Sequence, residues 1–280
     1  MDIGGSWLRW SISEGVEGRI PSRGLELLPF MESFIKKYEV GILGISFAGQ
    51  VEDGKIVASP NVEMPPIDIR KYLHGKTGVE LRIENDLNCA ALAEAEEWKS
   101  DHLAALYSGT GLGAGVVAEG RLLRGSRDMA GEIGHVPYRD APFACGCGKR
   151  NCLELYASGS GLEKWCRHLG CGERTLDAMR RSSQASCRRI AENYLKALLS
   201  AAGTLITLCN PEILVLGGGV IGANPWLLDR VREEIAEYAL PAALPKTRIE
   251  LSPLENASLR GAEILAGYIL SGEHREKSGF

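Results

Sequence analysis

The stretch that most constrains this chain runs from Gly131 to Glu154, GEIGHVPYRDAPFACGCGKRNCLE. One histidine and three of the eight cysteines fall within eighteen residues there, with Glu132 and Glu154 beside them. Cys145 and Cys147 are separated by one residue, Cys152 follows five later, and His135 precedes Cys145 by ten. Three thiolates and one imidazole make the closed Cys₃His set of a structural zinc site, with no position left for water. A fold holding this set must bring four separate positions to one point. Gly146 and Gly148 suit the turns of such a knuckle, and Lys149 and Arg150 place positive charge beside the thiolates. The alternatives are free thiols or a disulfide, but neighbouring C-x-C sulfurs rarely bridge and nothing in the sequence indicates an oxidising compartment. Cys89, Cys166, Cys171, Cys187 and Cys209 lack ligand spacing and read as buried thiols.

A chain of 280 residues can bury a large core, and its length favours two lobes. The net charge of −4 gives no broad basic surface for nucleic acid; Arg180-Arg181 and Arg188-Arg189 fall in helix-like segments and read as solvated faces. The opening MDIGGS lacks the basic-then-apolar layout of a secretory signal. The longest apolar run, Ala197 to Cys209, is broken by Ser200 and Gly203 and is shorter than the ~20 residues a membrane span requires. A cytoplasmic enzyme without a membrane or nucleic-acid partner is expected.

Along the chain, Met1 to Ile12 reads as strand, glycine turn and strand, continuing into a hairpin at Glu14-Gly15. Only Met1 precedes Asp2, so the chain start is expected to be clipped or misassigned and the first strand weak. Pro29 to Tyr38 reads as a helix, and Val40 to Phe47 as a buried parallel strand. Asp53-Gly54 makes a hairpin, Asp68 to Leu73 a short helix, and Val79 to Ile83 a strand leading through Glu84-Asn85-Asp86 into a helix from Leu87 to Trp98. His102 to Tyr107 enters a second glycine turn, Ser108 to Gly115. Gly4 to Gly15 and Gly109 to Gly120 share one layout of glycine turn, outgoing strand and Glu-Gly hairpin, and Val40 to Ser46 has a counterpart in Ile213 to Gly218. Two related lobes facing across a cleft follow from that repetition. Leu155 to Leu169, Leu176 to Ser183, Ala185 to Cys209, Trp226 to Ala239 and Leu259 to Leu270 read as helices, Glu212 to Leu216 and Thr247 to Ser252 as strands, and the tail from Ser271 as loose. The predicted lobes are 1–104, joined by a terminal helix within 258–280, and 105–257 with the knuckle.

Three glycine turns follow apolar strands: Gly4-Gly5-Ser6, Gly109-Thr110-Gly111-Leu112-Gly113, and Gly217 to Gly219. Glycine lets backbone N–H groups approach phosphate oxygens, although each turn also has a purely conformational reading. None matches the P-loop pattern, and no G-x-G-x-x-G opens a helix after the first strand, which argues against a Rossmann dehydrogenase. Asp86 stands between a strand and a helix. Ionised at neutral pH, it could take a proton from a hydroxyl attacking phosphorus; equally, it could be the helix cap.

The motifs DIGGS, Pro60-Asn61, END, SGTGLGAG, GEIGH, CGCGKRNCLELYASG and NPEILVLGGGV, in that order, resemble the ROK family of sugar kinases and sugar-responsive repressors. The resemblance implies an α/β, two-lobed actin-like ATPase fold related to hexokinase, closing on a sugar with ATP bound between the lobes. Family repressors carry a helix-turn-helix domain ahead of the DIGG segment, so the kinase branch is expected. By matching motif, Asp86 would be the general base on the 6-hydroxyl of a hexose, glucose foremost. Asn61, Asn85, Asp86, Glu132, His135 and Glu154 would bind the sugar. His135 would also join Cys145, Cys147 and Cys152 on zinc, one ring nitrogen for each task. Asp2 would approach Mg²⁺ through water. Gly4, Gly5, Ser6, Gly109, Thr110, Gly111 and Gly113 would cradle ATP phosphates, with Gly217 and Gly218 against the adenosine. A homodimer or homotetramer is expected on the same ground. Alternatives are an N-acetylmannosamine or other amino-sugar kinase, and a sugar-binding sensor without turnover.

Several positions depart from the family pattern. Ser6 replaces threonine but keeps the hydroxyl, and Trp7 is bulkier than expected. Asn151 stands where glycine is common, which suggests a left-handed residue. Ala48-Gly49-Gln50 replaces Pro-Gly-Pro at what would be the rim of the sugar pocket.

Overall fold

Apolar runs alternating with glycine turns build two sheets of the same order in two units. The computed structural model describes residues 1–271 apart from Glu14, Pro60, Asn61, Glu63 and Pro65. One unit comprises Met1–Glu97, Arg121–Ala130 and the segment from Leu254 onward; the other comprises Trp98–Gly120 and Gly131–Pro253.

The first unit begins with β1 (Asp2–Ile3), β2 (Trp7–Ser11) and β3 (Glu17–Pro21), followed by α1 (Leu27–Lys37) and β4 (Ile42–Phe47). A small hairpin, β5 (Gln50–Glu52) and β6 (Lys55–Ala58), precedes α2 (Ile69–Thr77), β7 (Glu80–Asn85) and α3 (Asp86–Trp98). The sheet order is β3-β2-β1-β4-β7. β1 and β2 are antiparallel, whereas β1, β4 and β7 run parallel, with Asp2 opposite Ser46 and Ser46 opposite Glu84. β1 has only two residues, yet Asp2 and Ile3 are buried and paired on both sides. Ile3, Leu8, Met31, Ile45, Phe47 and Leu73 form the centre of this core.

The chain then passes through β8 (Leu103–Ser108) and β9 (Leu112–Ala118) of the second unit before β10 (Arg121–Leu122). Glu119 and Gly120 both have positive φ, 52° and 69°, as a two-residue hairpin turn of the favoured twist demands. After the knuckle come α4 (Gly159–Leu169), α5 (Leu176–Arg181), α6 (Ala185–Cys209), β11 (Ile213–Gly217), α7 (Gly219–Gly222), α8 (Trp226–Glu234) and β12 (Arg248–Leu251). The consecutive order β9-β8-β11-β12 repeats β2-β1-β4-β7 of the first unit, with β8, β11 and β12 parallel. α6 buries Ile190, Tyr194, Leu198 and Leu205 and ends where Asn210 turns left-handed (φ 44°) before Pro211. The final helix, α9 (Ala257–Leu270), belongs to the first unit and lies hard against β4 and α3. A Cβ on Gly44 would fall 1.7 Å from the Ala262 oxygen, so β4 and α9 meet backbone to backbone. Among the described residues no helix is long and apolar enough to cross a membrane. The expected loose tail falls on residues 272–280, outside the described residues.

Five local expectations need correction. Leu155–Leu169 is not one helix: Leu153–Leu155 is a 3-10 turn, Ser158 is extended, and its Oγ accepts from the Gly161 N–H at 3.0 Å to start α4. The second glycine turn spans only Gly109 to Gly111, because Leu112, Ala114 and Val116 are buried in β9. α2 continues four residues past Leu73, to Thr77, and is closed by Gly78 at φ 76°. Cys171 and Cys187 are not separate thiols but a disulfide, their Cα atoms 5.3 Å apart. Asn151 is not left-handed; Gly148, at φ 87°, makes the positive-φ turn of the knuckle.

Candidate active site

In the first unit the candidate residues stand at the carboxyl ends of the parallel strands β1, β4 and β7, where ligands bind in open α/β sheets. Asp2 is buried, and its carboxylate accepts from Ser46 Oγ at 2.8 Å and pairs with Arg9 Nη1 at 3.1 Å. Both Asp2 oxygens are thereby engaged within the unit. The turn Gly4–Ser6 follows, closed by the Gly4 N–H on the Trp7 oxygen at 3.0 Å, with Ser6 exposed. The bulk of Trp7 is 37% exposed and lies under the Arg19 guanidinium at 4.8 Å from the ring centre, so it faces away from the core.

Asn85 and Asp86 mark the junction of β7 and α3. Asn85 Oδ1 accepts the backbone N–H groups of Leu87 at 2.9 Å and Asn88 at 3.3 Å, while its Nδ2 donates to the Gly49 oxygen at 3.0 Å. Asn85 therefore supplies the helix cap. Asp86, half-buried, accepts from the Leu87 N–H at 3.0 Å. The carbonyl of Gly49, the glycine kept between the two replaced prolines, thus orients the residue next to Asp86. Asn61 lies outside the described residues.

In the second unit the knuckle is assembled by pairing its two arms. Pro137 bridges Cys152, and the Leu153 N–H donates to the Val136 oxygen at 3.1 Å, which draws His135 to the cysteines. The ligand atoms of His135, Cys145, Cys147 and Cys152 all lie within 4.8 Å of one another. Cys145 Sγ is 3.6 Å from His135 Nδ1, and Cys147 Sγ is 3.4 Å from Cys152 Sγ. Metal–ligand bonds of about 2.1–2.3 Å in a tetrahedron require edges of roughly 3.5–3.8 Å, which these two separations approach, so the donor set is compatible with zinc. Burial pushes the Cys145 thiol above its ordinary value, the direction a bound cation reverses.

His135 Nε2 faces the other way, 3.6 Å from Glu132 Oε2. The GEIGH motif reaches this position because its glycines press on β9: a Cβ on Gly131 would sit 2.3 Å from the Ala114 oxygen, and one on Gly134 2.2 Å from the Leu112 oxygen. Glu154 links the knuckle to the glycine turn, one carboxylate oxygen accepting from the Leu112 N–H at 3.1 Å and the other lying 3.3 Å from Cys145 Sγ. The turn itself is closed by the Gly109 N–H on the Gly111 oxygen at 2.9 Å, and it accepts the first N–H groups of α4, Gly159 onto Gly109 and Ser160 onto Thr110. Gly113 lies in β9 opposite Tyr107. Gly217 and Gly218 abut the same turn; Gly218 has φ 89°, and a Cβ there would fall 2.5 Å from the Ser108 oxygen. Within this unit, then, Glu132, His135, Glu154, the thiols and both glycine turns form one continuous cluster.

Sequence reasoning missed Ser46 and Arg9, which hold Asp2. Ser46 carries a signal only in hindsight, as the single hydroxyl in the apolar run of β4.

A model described as the ROK family matches residues 26–268. The chain belongs to the ROK family. Among its ROK relatives, the glucokinase of Thermotoga maritima is 31% identical over 80% of this chain and 78% of its own length. The N-acetyl-D-glucosamine kinase of Erwinia tasmaniensis is also 31% identical, over 81% and 78%. The crystal structure of the ROK hexokinase from Thermus thermophilus superposes with a TM-score of 0.79 at 24% identity, covering 97% of this chain and 98% of that one. The ROK chain described here has the two-lobed actin-like ATPase fold of these kinases.

Proposed function

We propose that this ROK protein is an ATP- and Mg²⁺-dependent sugar kinase that phosphorylates a hexose, glucose foremost, at its 6-hydroxyl. The observation that carries the reading is the division of labour at the start of α3: Asn85 caps the helix, so Asp86 is not required there and its carboxylate is the candidate base. The first unit would contribute Asp86 as base, Asn61 and Asn85 on the sugar, and Asp2 with Gly4 to Ser6 toward the metal–nucleotide complex. The second would contribute Glu132, His135 and Glu154 on the sugar hydroxyls, Gly109 to Gly113 on the phosphates, and Gly217 and Gly218 on the adenosine. Bound Mg²⁺ supplies charge neutralisation on the phosphate oxygens.

Asp86 would accept the hydroxyl proton as that oxygen attacks the γ-phosphorus in line, with positioning providing most of the acceleration. His135 would be held by zinc at Nδ1, leaving Nε2 for a sugar hydroxyl, which accounts for a metal knuckle beside a recognition motif. The relative named for N-acetyl-D-glucosamine favours a second reading in which the acceptor is an amino sugar. Incubating the protein with ATP, Mg²⁺ and a panel of hexoses and N-acetylated hexosamines, while following ADP release, tests both. Glucose-dependent release is expected, and Asp86→Asn should lower turnover roughly 10²–10⁴-fold while sugar binding persists. No sugar-dependent release would overturn the kinase reading, and near-normal turnover in the variant would overturn the assignment of base.

A further inference from the structure

A buried carboxylate beside Asp86 has no part in the chemistry above. Glu84 lies in β7 two residues before Asp86 and is 4% exposed. Its Oε1 accepts from the Asn85 backbone N–H at 3.0 Å and from Asn88 Nδ2 at 3.0 Å. One oxygen thereby grips the chain on both sides of Asp86. Its Oε2 accepts from Arg124 Nε at 2.7 Å.

Arg124 comes from the 121–130 segment, which belongs to the same unit and is fastened to it independently. Arg127 donates to both oxygens of Glu52 at 2.7 and 3.2 Å, Asp128 Oδ2 accepts from the Asp53 N–H at 2.7 Å, and the Ala130 N–H closes back on the Arg124 oxygen at 2.9 Å. The guanidinium is thus delivered to Glu84 by an anchored loop rather than a loose side chain. A buried carboxylate needs a charged partner and filled hydrogen bonds, and Glu84 has both. Removing Arg124 would leave Glu84 buried without its cationic partner, and its grip on Asn85 and Asn88 would loosen.

We propose that Glu84 and Arg124 are a positioning pair for Asp86, fixing the turn from Asn85 to Asn88 so that the base is presented in one orientation; this rests on the reading of Asp86 as base. Neither residue touches substrate in this scheme. They act on the step that Asp86 performs and not on sugar affinity, so their loss should appear in kcat and not in KM.

The test is steady-state kinetics on the full chain with glucose, or with whichever sugar the panel identifies, together with thermal unfolding. Arg124→Gln and Glu84→Gln should each lower kcat roughly 10–100-fold, as small misplacements of a catalytic group do, with the sugar KM within about threefold of wild type. Arg124→Lys, which keeps the charge, should recover most of the loss. The double variant should be no worse than the poorer single one, because the two residues act as a unit. Wild-type kcat in Glu84→Gln, or additive losses shared equally between kcat and KM, would overturn the proposal. Should Arg124→Gln fail to fold, the near-isosteric Glu84→Gln carries the same comparison. Asp86→Asn is measured alongside: a fully active Asp86→Asn sinks the assignment of base, whereas an inactive one with normal Glu84 and Arg124 variants sinks only the positioning pair.

Discussion

The two glycine turns that open the two sheets occupy the same place in the same strand order, yet they are held very differently. Gly4–Ser6 follows a two-residue strand and is closed by its own Gly4–Trp7 bond, with the Ser22 N–H on the Ser6 oxygen as a further support. Gly109–Gly111 follows a six-residue strand and is clasped from outside by the start of α4, by Glu154 and by the close approach of Gly218. The second unit also holds the His135, Cys145, Cys147 and Cys152 knuckle and the Cys171–Cys187 disulfide. One topology therefore supports two kinds of turn. The first is held by backbone bonds alone; in the second a shift in the knuckle would be passed to the backbone amides through Glu154.

If that contrast is correct, substitutions should have unequal consequences in the two units. The largest effect is expected from Cys147→Ser, which should abolish the zinc content measured by elemental analysis and raise the sugar KM at least about tenfold, since ligand loss undoes a site that folding depends on. Full activity in a metal-free preparation would separate the knuckle from recognition. Next comes Gly134→Ala, whose new methyl meets the Leu112 carbonyl; a loss of about 1–3 kcal/mol in denaturant unfolding is expected from overpacking against backbone that cannot yield. An unchanged midpoint would mean that the GEIGH segment is free to lift off β9. The smallest is Ser6→Ala, on an exposed position, which should stay within about 0.5 kcal/mol of wild type in stability and raise the KM for ATP only a few-fold. A stability loss as large as that of Gly134→Ala would erase the distinction between the turns.

The positions of the core strands were largely readable from the chain because buried parallel strands print as continuous apolar runs, as at Val40–Phe47 and Glu212–Leu216, whereas their order in the sheets was not. Helix starts were less readable. Leu155–Leu169 reads as one helical segment, but Ser158, at the head of a Ser-Gly-Ser-Gly run, takes the Gly161 N–H and starts the helix there. Cys171 and Cys187 carry no spacing signal because one is in the loop after α4 and the other on α6, brought together only by packing.

What the sequence determined by itself was the inventory: a Cys₃His set, glycine turns after apolar strands, a carboxylate at a strand–helix junction, and a doubled strand pattern. These are local facts, fixed by spacing and by the steric freedom of glycine. Tertiary structure alone decided who supports whom. Asn85 rather than Asp86 became the cap, Ser46 and Arg9 took hold of Asp2, Glu154 tied the knuckle to the turn, and Arg124 travelled some forty residues along the chain to neutralise Glu84. Partnerships of that kind depend on sheet register and loop anchoring, which bring together residues that no periodicity relates.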